Sequence, residues 1–483
     1  MRPVDYLIIA VYFSLIILIG SCFSSSQKSL KDYFLGGRSV PWWAAMFSGI
    51  ATIVSAISYL GAPGVAFKGD YTLHQYRLGL PIAMLVLGLV MLPYFYNNQR
   101  YSIYQYLEER FDLKTRLFTS ALFILLKICF LGVAMYAPAL VLREMFGLSI
   151  WYVVGFVGLF TTVYTLLGGI KAVIWTDSMQ LIVLLSGLLV VALIAIGKTD
   201  GGLATVIELG QAKEKFRFFN FSWSLTEKYT FLGGLIGGAF FILTQFGTDQ
   251  AELQRFLTTK TLKQSNIALM GTLVFTFAFG LFVFFIGTIL FAFYTEFPEK
   301  GAMALPSSQV LPKFIIEELP VGIKGLLVAS ILSAAMSTIS SVLNSVTTVG
   351  VTDFYNRFAR NEASVGFARS ITLILGITGI GLAGLMGSLG NILETAMRLN
   401  SFFGGPLVGV FLAGMLCRRT HANPAFIGLS VGFLFSIYLG FFTSISFLWY
   451  GAFTAIATAT ITVVLSLLIP DPRTGKTDLH ALS

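Results

Sequence analysis

The feature that most constrains this 483-residue chain is the recurrence of apolar runs long enough to cross a bilayer. A helix needs about 20 such residues to span ~30 Å of hydrocarbon. Thirteen stretches qualify, the first seven being Asp5–Cys22, Trp42–Phe67, Leu78–Asn97, Thr115–Leu142, Ser149–Gly168, Ile170–Ile196 and Tyr229–Phe246. The others are Ser265–Tyr294, Val321–Thr348, Ala363–Met386, Ser401–Cys417, Ala425–Phe442 and Phe447–Ile469. None has the ten-residue alternation of a membrane β-barrel strand. The expected fold class is therefore all-α and polytopic, with about 13 transmembrane helices.

Composition narrows the function classes. Charged residues make up 11% and apolar residues 56%, which excludes a cytosolic globular domain and a disordered chain. The net charge of +9 is spread through short loops and forms no nucleic-acid face. Cys22, Cys129 and Cys417 lie in or beside apolar runs, so neither a disulfide framework nor a zinc site is expected. The three histidines, His74, His421 and His480, are far apart and fall in loops. No Walker loop, dinucleotide fingerprint or nucleophile elbow is present, so no enzyme is expected.

Lysine and arginine bias sets the expected orientation. With the N-terminus outside, eighteen of the 32 basic residues fall in cytoplasmic loops. The reading is a plasma-membrane protein, by its class a bacterial inner-membrane one, with the C-terminus cytoplasmic. Ile19–Cys22 resembles a lipoprotein cleavage box, but Asp5 and twelve further spans argue against cleavage. The tail after Pro470 is too short for a signalling output domain.

Several polar features are foreign to lipid-facing helices. The second span carries Ser48, Gly49, Ser55, Ser58 and then Gly61–Gly64, while the seventh opens on Leu232–Gly234 and ends on Thr244–Gln250. Interrupted helices five spans apart expose carbonyls and helix ends, as in inverted-repeat transporters. The span around Ser333–Thr348 holds eight hydroxyls and one amide in sixteen residues. Some of these would bond their own backbone or glue helices together. Ser337, Thr338 and the Ala334 carbonyl would instead offer a hard cation three oxygens in one turn. Asp177, inside the sixth span, needs a cation or donor, and Lys171 lies on another helix face. Lys127 reads as the only intramembrane cation, to bind an anionic substrate, pair with an acid, or snorkel.

Taken in order, Asp5-Tyr6, the Ser102–Phe111 segment closing on Tyr-Leu-Glu-Glu-Arg-Phe, Gly168–Asp177, Gln254–Leu257 and Met336–Thr338 resemble the sodium:solute symporter family over the whole chain. Tyr136–Leu140 and Leu60–Pro63 are most similar to its iodide, monocarboxylate and multivitamin branch. The resemblance implies a leucine-transporter-type 5+5 inverted repeat. Residues 1–41 would form an extra helix and loop, 42–197 the first repeat, 198–228 an external loop, 229–417 the second repeat, and 418–483 two final helices and a tail. It also implies a main sodium at the Ala51, Val54 and Ala334 carbonyls and the Ser337 and Thr338 hydroxyls. A second sodium would use Asp177 with Ser337 and Thr338.

Substrate contacts implied by position are Ile53, Ser55, Ser58, Leu80, Gln245 and Phe246, with Lys127 as the candidate anion partner. Ile53 and Ile242 replace the hydrogen-bonding side chains of sugar carriers, which favours a small anion or apolar-bodied acid over a polyol. A sugar or sialic acid symporter, or an uncoupled channel of the same fold, is the alternative. The implied partners are a small solute, sodium and the lipid bilayer, with no nucleic acid and a monomer as the working unit.

Overall fold

The computed structural model describes residues 2–23, 27, 29–97, 101–359, 362–386 and 392–470. Among them every regular element is helical, apart from one β-bridge between Val40 and Thr259. Among the described residues ten helices are long and apolar enough to span a membrane. The count rises to eleven when Trp42–Ile53 and Ser58–Lys68, bent by 58° at a short break, are taken as one span. Counted by length and apolarity, thirteen separate spans are not reached among the described residues: the fifth and sixth expected spans run on as Ile150–Lys198, turning at Gly169 between them, and the seventh shortens to Gly233–Gly247.

Ile150–Lys198 has 49 residues, and at 1.5 Å each it would reach about 74 Å if straight, more than twice the hydrocarbon thickness. It turns at Gly169, whose φ of 56° and ψ of −154° lie outside the helical region. A Cβ there would sit 2.7 Å from the Tyr33 carbonyl oxygen. Both the backbone conformation and the close approach require glycine.

Other helix ends follow from local chemistry. Asp112 caps Leu113–Phe146 by accepting from the Thr115 N–H, and Gly147 ends that helix at φ 66°. Thr261 caps Leu262–Glu296 through the Gln264 N–H. These side chains satisfy backbone groups that the first and last turns leave unpaired.

The polar helix Ile323–Val349 forms the centre of the bundle. Its apolar window is 94% buried, against 22% for the peripheral helix Val365–Ala383, so its hydroxyls face protein rather than lipid. It packs along Ile150–Lys198 and touches both the first helix and the broken one. Asp5 on the first helix accepts from the Gly322 and Gly325 N–H groups at 2.7 and 3.1 Å, which caps its N-terminus.

The glycines of the seventh span serve packing rather than a break. A Cβ at Gly234 would lie 2.2 Å from the Gln75 carbonyl oxygen, so the two backbones touch directly. The interruption comes later, at Thr248 and Asp249, and the chain restarts as Gln250–Phe256. Within Ser102–Phe111, Gln105–Arg110 is helical and its Arg110 donates to the Gly414, Cys417 and Thr420 carbonyls. The Leu305–Leu319 segment holds the helix Val310–Glu318, and Glu318 pairs with Lys198 and Lys300 at 2.8 and 2.6 Å.

Candidate functional site

The broken helix parts at Val54 (φ −79°, ψ 75°), and Ser55 restarts it by accepting from the Ser58 N–H. The polar helix crosses this break. Ser337 Oγ donates to the Ala51 carbonyl at 2.8 Å and the Ala334 carbonyl at 3.3 Å. Thr338 Oγ1 donates to the Thr52 and Ala334 carbonyls, both at 3.2 Å. Ser330, Ser333, Ser340 and Ser345 also bond carbonyls of their own helix. The hydroxyl excess thus includes self-bonded residues, the pair that reaches the carbonyls of the break, and Ser341, whose Oγ lies 2.9 Å from Thr52 Oγ1 beside it.

Asp177 is fully buried and lies near the same break. Its Oδ2 accepts from Ser48 Oγ at 2.6 Å and faces Arg255 Nη1 at 3.3 Å. Arg255 also donates to the Ser48 carbonyl, Ser341 Oγ and the Ala251 carbonyl at 2.6, 3.0 and 2.7 Å. Asp177 Oδ1 has no hydrogen-bond partner, and no hydrogen bond among the described residues links Asp177 to Ser337 or Thr338.

These contacts correct the expectation that Lys127 is the only intramembrane cation. Arg255, read as a loop residue, is 0% exposed. Lys127 is itself ion-paired with Asp249 at the restart of the seventh span.

Beside the break lies a cavity of about 180 Å³. Ile53, Val54, Ser55, Ser58 and Thr338 line one side of it, and Gln245, Asp249 and Lys127 another. Ala51, Ala334 and Ser337 are buried just behind this wall, whereas Leu80, Ile242 and Phe246 are buried outside the lining. Sequence reasoning missed Glu252, whose buried Oε2 has no hydrogen-bond partner, and the lining residues His74 and Arg77. Starting the third span at Leu78 left those two in a loop, but the chain is already helical from Thr72. The only cue was a histidine and an arginine one 3₁₀ turn apart, directly before an apolar run.

A cavity bounded by two interrupted helices and a polar helix, in a multi-pass membrane protein, defines a secondary transporter. The comparisons give the particular family. A profile of the sodium:solute symporter family matches residues 33–432. The sodium/sialic acid symporter NanT of Aliivibrio fischeri is 32% identical, over 96% of this chain and 93% of that protein. The human sodium-coupled monocarboxylate transporter 1 is 30% identical, over 90% and 73%.

Among solved structures, a Na+-coupled sialic acid symporter in a substrate-bound outward-open state superposes with a TM-score of 0.90 and 29% identity, over 97% and 98%. Mhp1, a nucleobase-cation-symport-1 transporter, shares the fold at a TM-score of 0.58 and 14% identity, over 91% and 95%. The chain belongs to the sodium:solute symporter family. Its fold is the leucine-transporter-type inverted repeat, and it is a sodium-coupled symporter of a small solute rather than an enzyme.

Proposed function

We propose that the solute is a sugar acid of the sialic acid class, in place of the smaller apolar-bodied acid expected from Ile53 and Ile242. The observation that carries this reading is the composition of the cavity wall. Ile242, 3% exposed, does not line it, which removes one of the two residues weighed against a polyol. Ser55, Ser58, Gln245, Thr276 and Asn400 do line it, together with Ile53, and offer hydroxyl and amide groups to a hydroxylated ligand. The sialic acid symporters among the relatives support the same choice. In this reading Leu80 and Phe246 support the wall from behind.

The residues at the break fit a sodium ion, because every polar atom offered is an oxygen. The Ala51, Val54 and Ala334 carbonyls with the Ser337 and Thr338 hydroxyls would hold the main ion. Asp177, through its free Oδ1 and with Ser337 and Thr338, would serve a second. Bound there, sodium would tie the break of one helix to the polar helix.

We take the repeats as 42–197 and 229–417, flanked by 1–41, 198–228 and 418–483, a reading supported by the interrupted helix that opens each of them. The working unit is a monomer in the cell membrane, without nucleic acid. The cell membrane is taken as the bacterial inner membrane, with the N-terminus outside and the C-terminus inside.

The test is uptake of labelled N-acetylneuraminate into proteoliposomes. An inward sodium gradient should drive accumulation above equilibrium, and dissipating the gradient should abolish it. Equilibration without accumulation would identify an uncoupled facilitator instead.

A further inference from the structure

The charged groups around the cavity are unevenly satisfied. Lys127 is neutralised by Asp249, and Arg255 is taken up by Asp177, Ser48, Ser341 and the Ala251 carbonyl. Arg77 lines the same cavity from the 3₁₀ turn Thr72–Gly79, yet its side chain makes neither a hydrogen bond nor an ion pair with the described residues. Its Nε is buried without a partner, and its guanidinium carbon lies 4.9 Å from the centre of the Tyr76 ring.

His74 lies one 3₁₀ turn earlier, and residues three apart on such a turn are eclipsed on one face. It also lines the cavity, is 1% exposed and leaves Nε2 unpaired. Gly280 makes room for both. A Cβ there would come within 2.2 Å of His74 Cε1 and 3.4 Å of Arg77 Nε.

Arg77 as a whole is half-buried, but its Nε is a buried charged donor, and leaving such a donor unmatched is costly. A guanidinium presents forked N–H groups that match a carboxylate. We propose that Arg77, steadied by His74 against Gly280, is the subsite that receives the carboxylate of the transported solute, and that Lys127 is instead an internal partner of Asp249. This rests on the reading of the solute as an acid. Phe130, Phe241 and Phe279 line the same cavity and suit the body of the ligand. The anion would thus be held by the cavity's one cation that no described acid neutralises.

The test compares N-acetylneuraminate with its uncharged methyl ester, in wild type, Arg77→Gln, Arg77→Lys and Gly280→Ala. Sodium-induced thermal stabilisation without solute serves as the integrity control, because Arg77 lies outside the residues assigned to sodium. Arg77→Gln should raise the KM for the acid at least about tenfold, the loss expected for a charge-assisted pair. It should leave sodium stabilisation intact and erase the preference for acid over ester. Arg77→Lys should recover part of that preference. Gly280→Ala, whose Cβ would run into the His74 ring and displace the imidazole that steadies the guanidinium without removing its charge, should reproduce the loss, and it becomes the deciding variant if Arg77→Gln does not fold.

Wild-type discrimination between acid and ester in Arg77→Gln, or in Gly280→Ala when that variant is decisive, overturns the subsite. A wild-type protein that accumulates the ester and acid equally under a sodium gradient overturns it as well. A wild-type protein that accumulates neither overturns the sialic acid reading first, and the subsite with it.

Discussion

Ser337 and Thr338 are neighbours on one helix, yet each hydroxyl reaches a different carbonyl of the broken helix, Ala51 and Thr52 respectively. Removing either hydroxyl strips an oxygen from the proposed sodium position and leaves a buried carbonyl less satisfied. Each such loss is worth about 1–3 kcal/mol, so Ser337→Ala or Thr338→Ala should raise the half-saturating sodium concentration about 5- to 150-fold. The KM for solute at saturating sodium should change far less. Sodium titration of uptake provides the measurement, and an unchanged half-saturation in both variants would remove the main site from this position.

The pair could be singled out in the sequence as hydroxyls beside the Ala334 carbonyl in an apolar span, and the structure sets both against the break. Arg255 was not legible. It follows the apolar run Tyr229–Phe246 in a charged stretch, Asp249–Arg255, that reads as a loop. Nothing local says that Gln250–Phe256 turns back into the bundle and buries the guanidinium against Asp177. The partner of Asp177 is a tertiary fact, and so is the Lys127–Asp249 pair.

Among the elements, the long spans were read nearly to their ends because length and hydropathy alone specify them. The breaks were read less well. Gly61, Pro63 and Gly64 pointed to an interruption there, yet Pro63 lies inside the helix Ala56–Lys68 and the chain parts at Val54 and Ser55. Ser55 as a helix cap is the only local cue, and neither β-branched Ile53 nor Val54 marks a turn. Glycine pairs proved equally ambiguous, with Gly233-Gly234 serving close packing and Gly169 turning the chain.

The turn at Gly169 carries a prediction. Its φ and ψ fall in a region open essentially to glycine alone, where another residue costs on the order of 1–3 kcal/mol. A Cβ would also meet the Tyr33 carbonyl oxygen. Gly169→Ala should therefore lower the apparent Tm in detergent and reduce the yield of folded protein. Ala172→Gly, a nearby buried helical site on the same element, should cost only about 1 kcal/mol. Equal Tm for Gly169→Ala and wild type would mean that the chain does not turn at this residue.

For the whole molecule, the question is how much work the sodium gradient can do. With Arg77 matched by the solute, the acids buried around the break and cavity are Asp177, Asp249 and Glu252 against Arg255 and Lys127, one carboxyl more than cations, so one carboxyl must either keep its proton or meet a further cation. Asp177 keeps one oxygen free of hydrogen bonds, as does Glu252. Such a surplus favours a second sodium alongside the first, with Asp177 Oδ1 as its anionic ligand.

Stoichiometry then fixes the electrical behaviour. One sodium with one monoanionic solute moves no net charge, whereas two sodiums move one positive charge inward. A potential of 100 mV acts on that charge with about 2.3 kcal/mol, enough for about fiftyfold more accumulation at equal ion gradients. Proteoliposomes holding an inside-negative potassium diffusion potential should therefore take up N-acetylneuraminate to a markedly higher plateau than depolarised ones. Wild-type sodium activation should be sigmoidal. In Asp177→Asn it should become hyperbolic and the dependence on potential should vanish, with transport impaired. Uptake indifferent to potential, with a sodium Hill coefficient of one, would leave a single ion at the break and make Asp177 the structural partner of Arg255 alone.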